Sequence, residues 1–220
     1  MSVLSDKVIQ TILDERLIVI VRGVEGEKLL PLARAMYDGG VRLIEFTFGS
    51  KTMKDDDETA EYIGRVAREF EGRMFVGSGT VTTPRQAELT AEAGGAFVIS
   101  PNTDAEVIKR TKELGMVSIP GALTPTEIVA ADHAGADFVK LFPVTTMGPD
   151  YVKAVKAPLS GVRLLAVGGV SYENMEAYFK AGVCGFGLGS NIVDMKRIAE
   201  CDFEGITALA EKNVNYIKQL

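Results

Sequence analysis

The stretch Phe138-Val139-Lys140-Leu141-Phe142-Pro143 decides how the rest of the chain is read. It is short, apolar and closed by a proline, the pattern of a buried β-strand. Side chains alternate across a strand, so Phe138, Lys140 and Phe142 share one face and Val139 and Leu141 the other. A lysine set between two phenylalanines is poorly solvated. Desolvation disfavours its ammonium, lowers its pKa and leaves more free amine, which can attack a ketone to give a Schiff base. The simpler account is a lysine that reaches solvent or pairs with a carboxylate, so the surroundings have to decide.

Working outward, apolar β-branched runs alternate with amphipathic stretches along the whole chain. Strands are predicted at 17–22, 41–46, 74–78, 96–99, 117–119, 137–142, 163–167 and 184–188, each followed by a helical pattern. Gly39-Gly40, Gly94-Gly95, Gly115, Gly135 and Gly182 fall where helices should end, as left-handed C-caps, and recur as a structural repeat. Eight βα units in 220 residues predict one (β/α)8 barrel domain over residues 1–220, the TIM-barrel architecture, which begins at about 200 residues. A doubly wound open sheet is the alternative, without a reason for eight successive units. An extra N-terminal helix over 2–15 is expected to cover the barrel floor.

The composition, 46% hydrophobic and 25% charged, suffices for a large core, and the net charge of −6 argues against nucleic acid or anionic membranes as bulk partners. Cys184 and Cys201 have no metal-type spacing and read as reduced thiols of a cytoplasmic protein. His133 is the only histidine, which excludes multi-histidine metal sites. No signal-peptide core or membrane-length apolar run is present. The segment 49–58 is unusually long for a βα loop. Its acidic run Asp55–Glu58 reads as a solvated helix start rather than a metal site.

In a barrel, chemistry gathers at the C-terminal strand ends. If Lys140 faces the lumen, Arg22, Glu45 and Thr80 are expected there too, and charges inside a barrel need a partner or a purpose. Strand four ends at Ser100-Pro101-Asn102, strand seven at Val167-Gly168-Gly169 and strand eight at Gly187-Leu188-Gly189-Ser190. Barrels often bind phosphate at these last two loops, where glycines let backbone amides approach closely. Ser171 is expected as the following N-cap. Thr124-Pro125-Thr126-Glu127 fits a capping box, and His133 reads as a surface residue.

These residues also carry a family resemblance. The motifs are Val-Arg-Gly at 21–23, Gly-Gly-Val-Arg-Leu-Ile-Glu at 39–45, Gly-Ser-Gly-Thr-Val at 77–81 and Ile-Ser-Pro-Asn at 99–102. They continue with Pro-Gly-Ala-Leu-Thr-Pro-Thr-Glu at 120–127, Lys-Leu-Phe-Pro at 140–143, Val-Gly-Gly-Val at 167–170 and Gly-Leu-Gly-Ser at 187–190. In this order, over nearly the whole chain, it resembles the Schiff-base (class I) aldolases acting on 2-keto-3-deoxy-6-phospho-sugar acids, with the related 4-hydroxy-2-oxoglutarate aldolases. The resemblance implies a homotrimer of barrels needing no metal or other cofactor, with a keto acid as substrate. It makes Lys140 the Schiff-base nucleophile and Glu45 an acid/base acting through water. Thr80 and nearby amides would hold the pyruvyl carboxylate, Gly168, Gly169, Gly189 and Ser190 the phosphate, and Arg22, Pro101 and Val167 would complete the substrate site.

Many members carry an arginine in a Glu-x-Thr-x-Arg pattern, where this chain reads Glu45-Phe46-Thr47-Phe48-Gly49. The galactonate-type branch lacks that arginine, has one in the first strand's Arg-Gly motif, here Arg22, and has valine before the glycine pair, here Val167. The long loop with Lys51 and Lys54 is outside the pattern. A phosphate-binding barrel doing isomerisation or synthesis, and a non-catalytic sugar-phosphate binder, remain alternatives.

Overall fold

The computed structural model describes residues 3–24, 26–49 and 55–220; Ser2 and residues 50–54 of the long loop, with Lys51 and Lys54, lie outside them. The strands are β1 (Leu17–Val21), β2 (Leu43–Thr47), β3 (Phe75–Gly79), β4 (Phe97–Ile99), β5 (Val117–Ile119), β6 (Gly121–Ala122), β7 (Val139–Leu141), β8 (Leu164–Val167) and β9 (Gly185–Leu188). They pair in parallel in the order β5-β4-β3-β2-β1-β9-β8-β7-β6. The helices are α1 (Val3–Glu15), α2 (Gly26–Asp38), α3 (Asp56–Glu69), α4 (Pro84–Glu92), α5 (Ala105–Glu113), α6 (Pro125–His133), α7 (Gly148–Lys156), α8 (Met175–Lys180), α9 (Met195–Ala199) and α10 (Phe203–Ile217). This is the expected α/β barrel with its additional leading helix.

Two sequence expectations need refinement. The fifth barrel strand is split, because Pro120 lacks an N–H and interrupts the ladder. β5 pairs with β4 and β6 with β7. The seam still closes: the Pro120 carbonyl accepts from Lys140 N at 2.8 Å, and the Ser118 carbonyl from Asp137 N at 3.0 Å. The Asp137 carboxylate accepts from Ser118 N at 2.9 Å and from Lys112 Nζ at 2.6 Å, pinning α5 to the same seam. Ser171, in turn, is not the N-cap of its helix. α8 starts at Met175 with Asn174 at the cap position, and the Ser171 hydroxyl donates to Glu173 Oε2 at 2.5 Å. The chain makes a turn before it can enter the helix.

Period-two alternation sorts the core into two layers. Leu17, Val19, Ile44, Val76, Val98, Val139 and Leu141 face the helices. Ile18, Leu43, Phe97, Val117, Phe138 and Leu165 fill the lumen, where Val8 and Ile12 of α1 plug the lower end. Each such side chain contributes about 1.5–3 kcal/mol by leaving water. An apolar, plugged floor leaves only the C-terminal end open.

Several local signals hold. Gly40, Gly94, Gly115, Gly135 and Gly182 have positive φ where helices end. Thr124 and Glu127 form the capping box of α6, and His133 ends that helix exposed. Asp55 caps α3 by accepting from Glu58 N at 2.9 Å, so the described end of the acidic run is a helix start.

Candidate active site

Lys140 stands in the middle of β7, and strand alternation points it into the lumen above Phe138. Six aliphatic side chains, Ile18, Ile20, Ile99, Ile119, Leu165 and Val167, surround its lower part. Its side is walled by Phe142, whose ring centroid lies 4.7 Å from Nζ. Only 7% of the residue is exposed. Burial lowers the Lys140 pKa, the neighbouring Glu45 carboxylate partly restores it, and Arg22 lowers it again.

Glu45 enters from β2, 1% exposed, in the same inward register. Its neighbour in β3 had to be small there: a Cβ on Gly79 would lie 2.4 Å from Glu45 Oε2. That oxygen is buried with no hydrogen-bond partner among the described residues. Burial pushes the Glu45 carboxyl up to about 7, against the pull of Lys140 and Arg22. The Coulomb effects of the pair oppose the shifts, but desolvation is the larger cause for both groups. Burial therefore favours a free amine beside a protonated acid, the neutral forms of both.

Arg22 and Thr80 meet at the rim, where Arg22 Nη2 donates to Thr80 Oγ1 at 2.9 Å. Thr80 has φ +57°, an uncommon conformation for a β-branched residue that costs energy and is typical of functional sites.

These side chains open into one cavity of about 610 Å³. Pro101 lines it from the β4 end, Val167, Gly168 and Gly169 from the β8 end, and Gly189 and Ser190 from the β9 end. The catalytic and substrate-binding candidates named from sequence thus share a single space. Asn191, Val193 and Met195 also line it but had no signal beyond following Ser190. Gly168 (φ +94°) and Gly169 (φ +77°) both need the freedom of glycine. Among the described residues, no three His, Cys, Asp or Glu side chains gather as a metal site, and no helix is long and apolar enough to cross a membrane.

Residues 8–209 match the family described as KDPG and KHG aldolase. The chain belongs to that family. As a KDPG/KHG-type aldolase it is a carbon–carbon lyase. The chain is 36% identical to the 2-dehydro-3-deoxy-6-phosphogalactonate aldolase of Escherichia coli K12 over 177 residues, 80% of this chain and 83% of that protein. It is 32% identical to the 2-dehydro-3-deoxy-phosphogluconate aldolase of Treponema pallidum over 206 residues, 92% of this chain and 93% of that one. Among solved structures, a native KDPGal structure superposes with TM-score 0.81 at 32% identity, over 93% of this chain and 96% of that one. The KDPG aldolase of Legionella pneumophila, with pyruvate captured as a covalent carbinolamine intermediate, superposes with TM-score 0.83 at 26% identity, covering 93% and 96% respectively.

Proposed function

We propose that this aldolase reversibly cleaves a 2-keto-3-deoxy-6-phospho-sugar acid to pyruvate and glyceraldehyde 3-phosphate through a Schiff base on Lys140, and that it accepts the galactonate-type C4 epimer. One observation carries this reading: a desolvated lysine and a desolvated glutamate share a cavity, each shifted toward its neutral form.

The free amine of Lys140 attacks the C2 ketone, the acid form of Glu45 gives its proton through water to the departing carbinolamine hydroxyl, and loss of water leaves an iminium beside the Glu45 carboxylate. Glu45, acting through water, removes the C4 hydroxyl proton. The C3–C4 bond then breaks, its electron pair enters the iminium, and the aldehyde leaves. The remaining enamine takes a proton at C3 from the acid form of Glu45. Water then hydrolyses the iminium, its proton returns to Glu45, and pyruvate and the free lysine are released. A carboxyl titrating near 7 suits both directions of transfer, since an acid/base works best near the operating pH. Arg22, Thr80 and the amides near it would hold the carboxylate of the keto acid, with Pro101 against it. Gly168, Gly169, Gly189 and Ser190 would hold the phosphate through backbone amides.

Val167 supports the epimer assignment. A valine neither donates nor accepts a hydrogen bond, so the C4 hydroxyl meets an apolar wall there. The family also includes aldolases of 4-hydroxy-2-oxoglutarate, and the same lysine and glutamate would cleave that substrate. A panel of keto acids with and without phosphate separates the two. We further propose one barrel domain over residues 1–220, assembled as a homotrimer in the cytoplasm; the resemblance supports the trimer, and light scattering tests it.

The test of the core reading is trapping with borohydride in the presence of pyruvate, followed by peptide mapping. The adduct is expected on Lys140, and Lys140→Ala is expected to lose both adduct and turnover. A label elsewhere, or none, refutes the assignment.

A further inference from the structure

We infer that Thr145 and Asn174 are positioning residues that aim the anion-binding amides of the loop after β8, an inference that rests on the phosphate reading above. The argument begins with the peptide unit. It is planar and trans, so its C=O and N–H point in opposite directions. Holding a carbonyl therefore sets the direction of the next residue's amide.

Two successive carbonyls in this loop are held. The Gly168 carbonyl accepts from Thr145 Oγ1 at 2.9 Å and from Thr145 N at 3.4 Å. The Gly169 carbonyl accepts from Asn174 Nδ2 at 3.1 Å, while Asn174 Oδ1 accepts from Ser171 N at 2.8 Å. Gly168, Gly169 and Val170 line the cavity, whereas Thr145 and Asn174 do not. Carbonyls drawn toward residues outside the lining turn the Gly169 and Val170 N–H groups the other way, to the cavity side.

Glycine makes the tethers necessary. Gly168 and Gly169 sit at φ +94° and +77°, and glycine backbone populates many alternatives at little cost. The loop also rests directly on the threonine: a Cβ on Gly169 would lie 2.5 Å from Thr145 Oγ1. A helix end cannot replace the loop amides, because α8 begins only at Met175 and has six residues.

The experiment uses the full chain and compares Thr145→Val, Thr145→Ser and Asn174→Ala. It measures KM and kcat for a 2-keto-3-deoxy-6-phospho acid and its dephosphorylated analogue, and the inhibition constant of inorganic phosphate. Losing one hydrogen bond that orients an amide is expected to raise the KM for the phosphorylated substrate and the phosphate inhibition constant about three- to tenfold. In Thr145→Val and Asn174→Ala, kcat and the KM of the analogue should stay within about twofold. Thr145→Ser keeps the hydroxyl and should restore wild-type values. Gly189→Asp, which sets a carboxylate in the neighbouring loop, tests the underlying reading by itself. If Gly189→Asp selectively harms the phosphorylated substrate while Thr145→Val and Asn174→Ala harm both substrates alike or neither, the positioning inference fails and the phosphate reading stands. If Thr145→Ser fails to rescue, the hydroxyl bond is not the agent and the inference also fails. If Gly189→Asp harms both substrates equally, the phosphate reading falls and takes this inference with it.

Discussion

The barrel mouth is walled by two different materials. Where β1, β2, β3 and β7 end, flanking β8 and β9 on both sides in the sheet order, ionisable side chains enter the cavity: Arg22, Glu45 and Lys140, with Thr80 beside them. At the loops after β8 and β9, no lining residue ionises; the wall is Val167, glycines, Ser190, Asn191 and small apolar groups. The first wall tunes its chemistry by taking charges out of water, which shifts pKa values. The second does so through backbone direction, which depends on glycine dihedrals and on tethers outside the cavity. Substitutions in the first wall should therefore change turnover and its pH dependence. Those in the second should change which substrate is read.

The largest effect that probes this contrast is Glu45→Gln, which keeps the shape and removes the titrating group. Turnover should fall by about two to four powers of ten, the range of a positioned acid/base, while borohydride trapping of pyruvate survives better than turnover. Stability should move the other way with pH. Burial raises the folded-state pKa of Glu45 to about 7, above its unfolded value of roughly 4.3. Folding thus takes up a proton between those values, and the associated stability is full below the unfolded pKa and lost as pH rises through 7. The glutamine carries no such loss. Its stability relative to wild type should grow between pH 4 and pH 8, by about 3 kcal/mol at most. Denaturant titrations at the two pH values check this, and a pH-independent difference would mean that Glu45 is not held protonated by burial.

The same contrast explains what could be read before the fold was seen. Lys140 between Phe138 and Phe142, and charged residues at the ends of other strands, announce themselves because a charge in an apolar strand is conspicuous. All of them converge on one cavity. The glycine pairs marked the two loops but not the direction of their amides, which rests on Thr145 and Asn174, residues of no special pattern. Ser171 looked like a cap because its type and position were right, yet an intervening turn moves the helix start to Met175. The break at Pro120 was visible as a proline, but that the strand resumes at Gly121 follows from pairing with β7, a tertiary fact. The left-handed φ of Thr80 is invisible to any propensity, because threonine is a poor residue for it.

A smaller effect is expected at the boundary between the two walls. Val167 is buried at the end of β8, just before the glycine pair. Val167→Thr adds a hydroxyl where the C4 hydroxyl of the substrate would lie. A polar partner discriminates because its loss leaves buried groups unpaired, while an apolar wall selects by shape, at about 1–3 kcal/mol. Wild type should cleave the galactonate-type epimer at least as well as the gluconate-type one. The substitution should shift the ratio of their kcat/KM values toward gluconate by about tenfold. A strong wild-type preference for the gluconate epimer, unmoved by Val167→Thr, would remove Val167 from the specificity argument.

The smallest effect concerns Thr80, which belongs to the side-chain half yet depends on backbone strain. A left-handed conformation costs an L-residue about 1–2 kcal/mol, and more of this falls on a β-branched residue than on asparagine, whose side chain supports it locally. Thr80 keeps φ +57° while its Oγ1 accepts from Arg22 Nη2 at 2.9 Å, so the rim trades stability for a placed hydroxyl. Thr80→Asn retains a polar side chain and relieves the strain. It should raise the unfolding free energy by about 1 kcal/mol, a Tm increase of roughly 2–4 °C for a domain of this size. It should also raise the KM for the keto acid, because the oxygen that Arg22 orients is displaced. Opposite signs for stability and binding are the signature of strain kept for function. A variant that is less stable as well as weaker would show instead that Thr80 is a packing residue, and that the side-chain half of the mouth rests on Lys140, Glu45 and Arg22 without it.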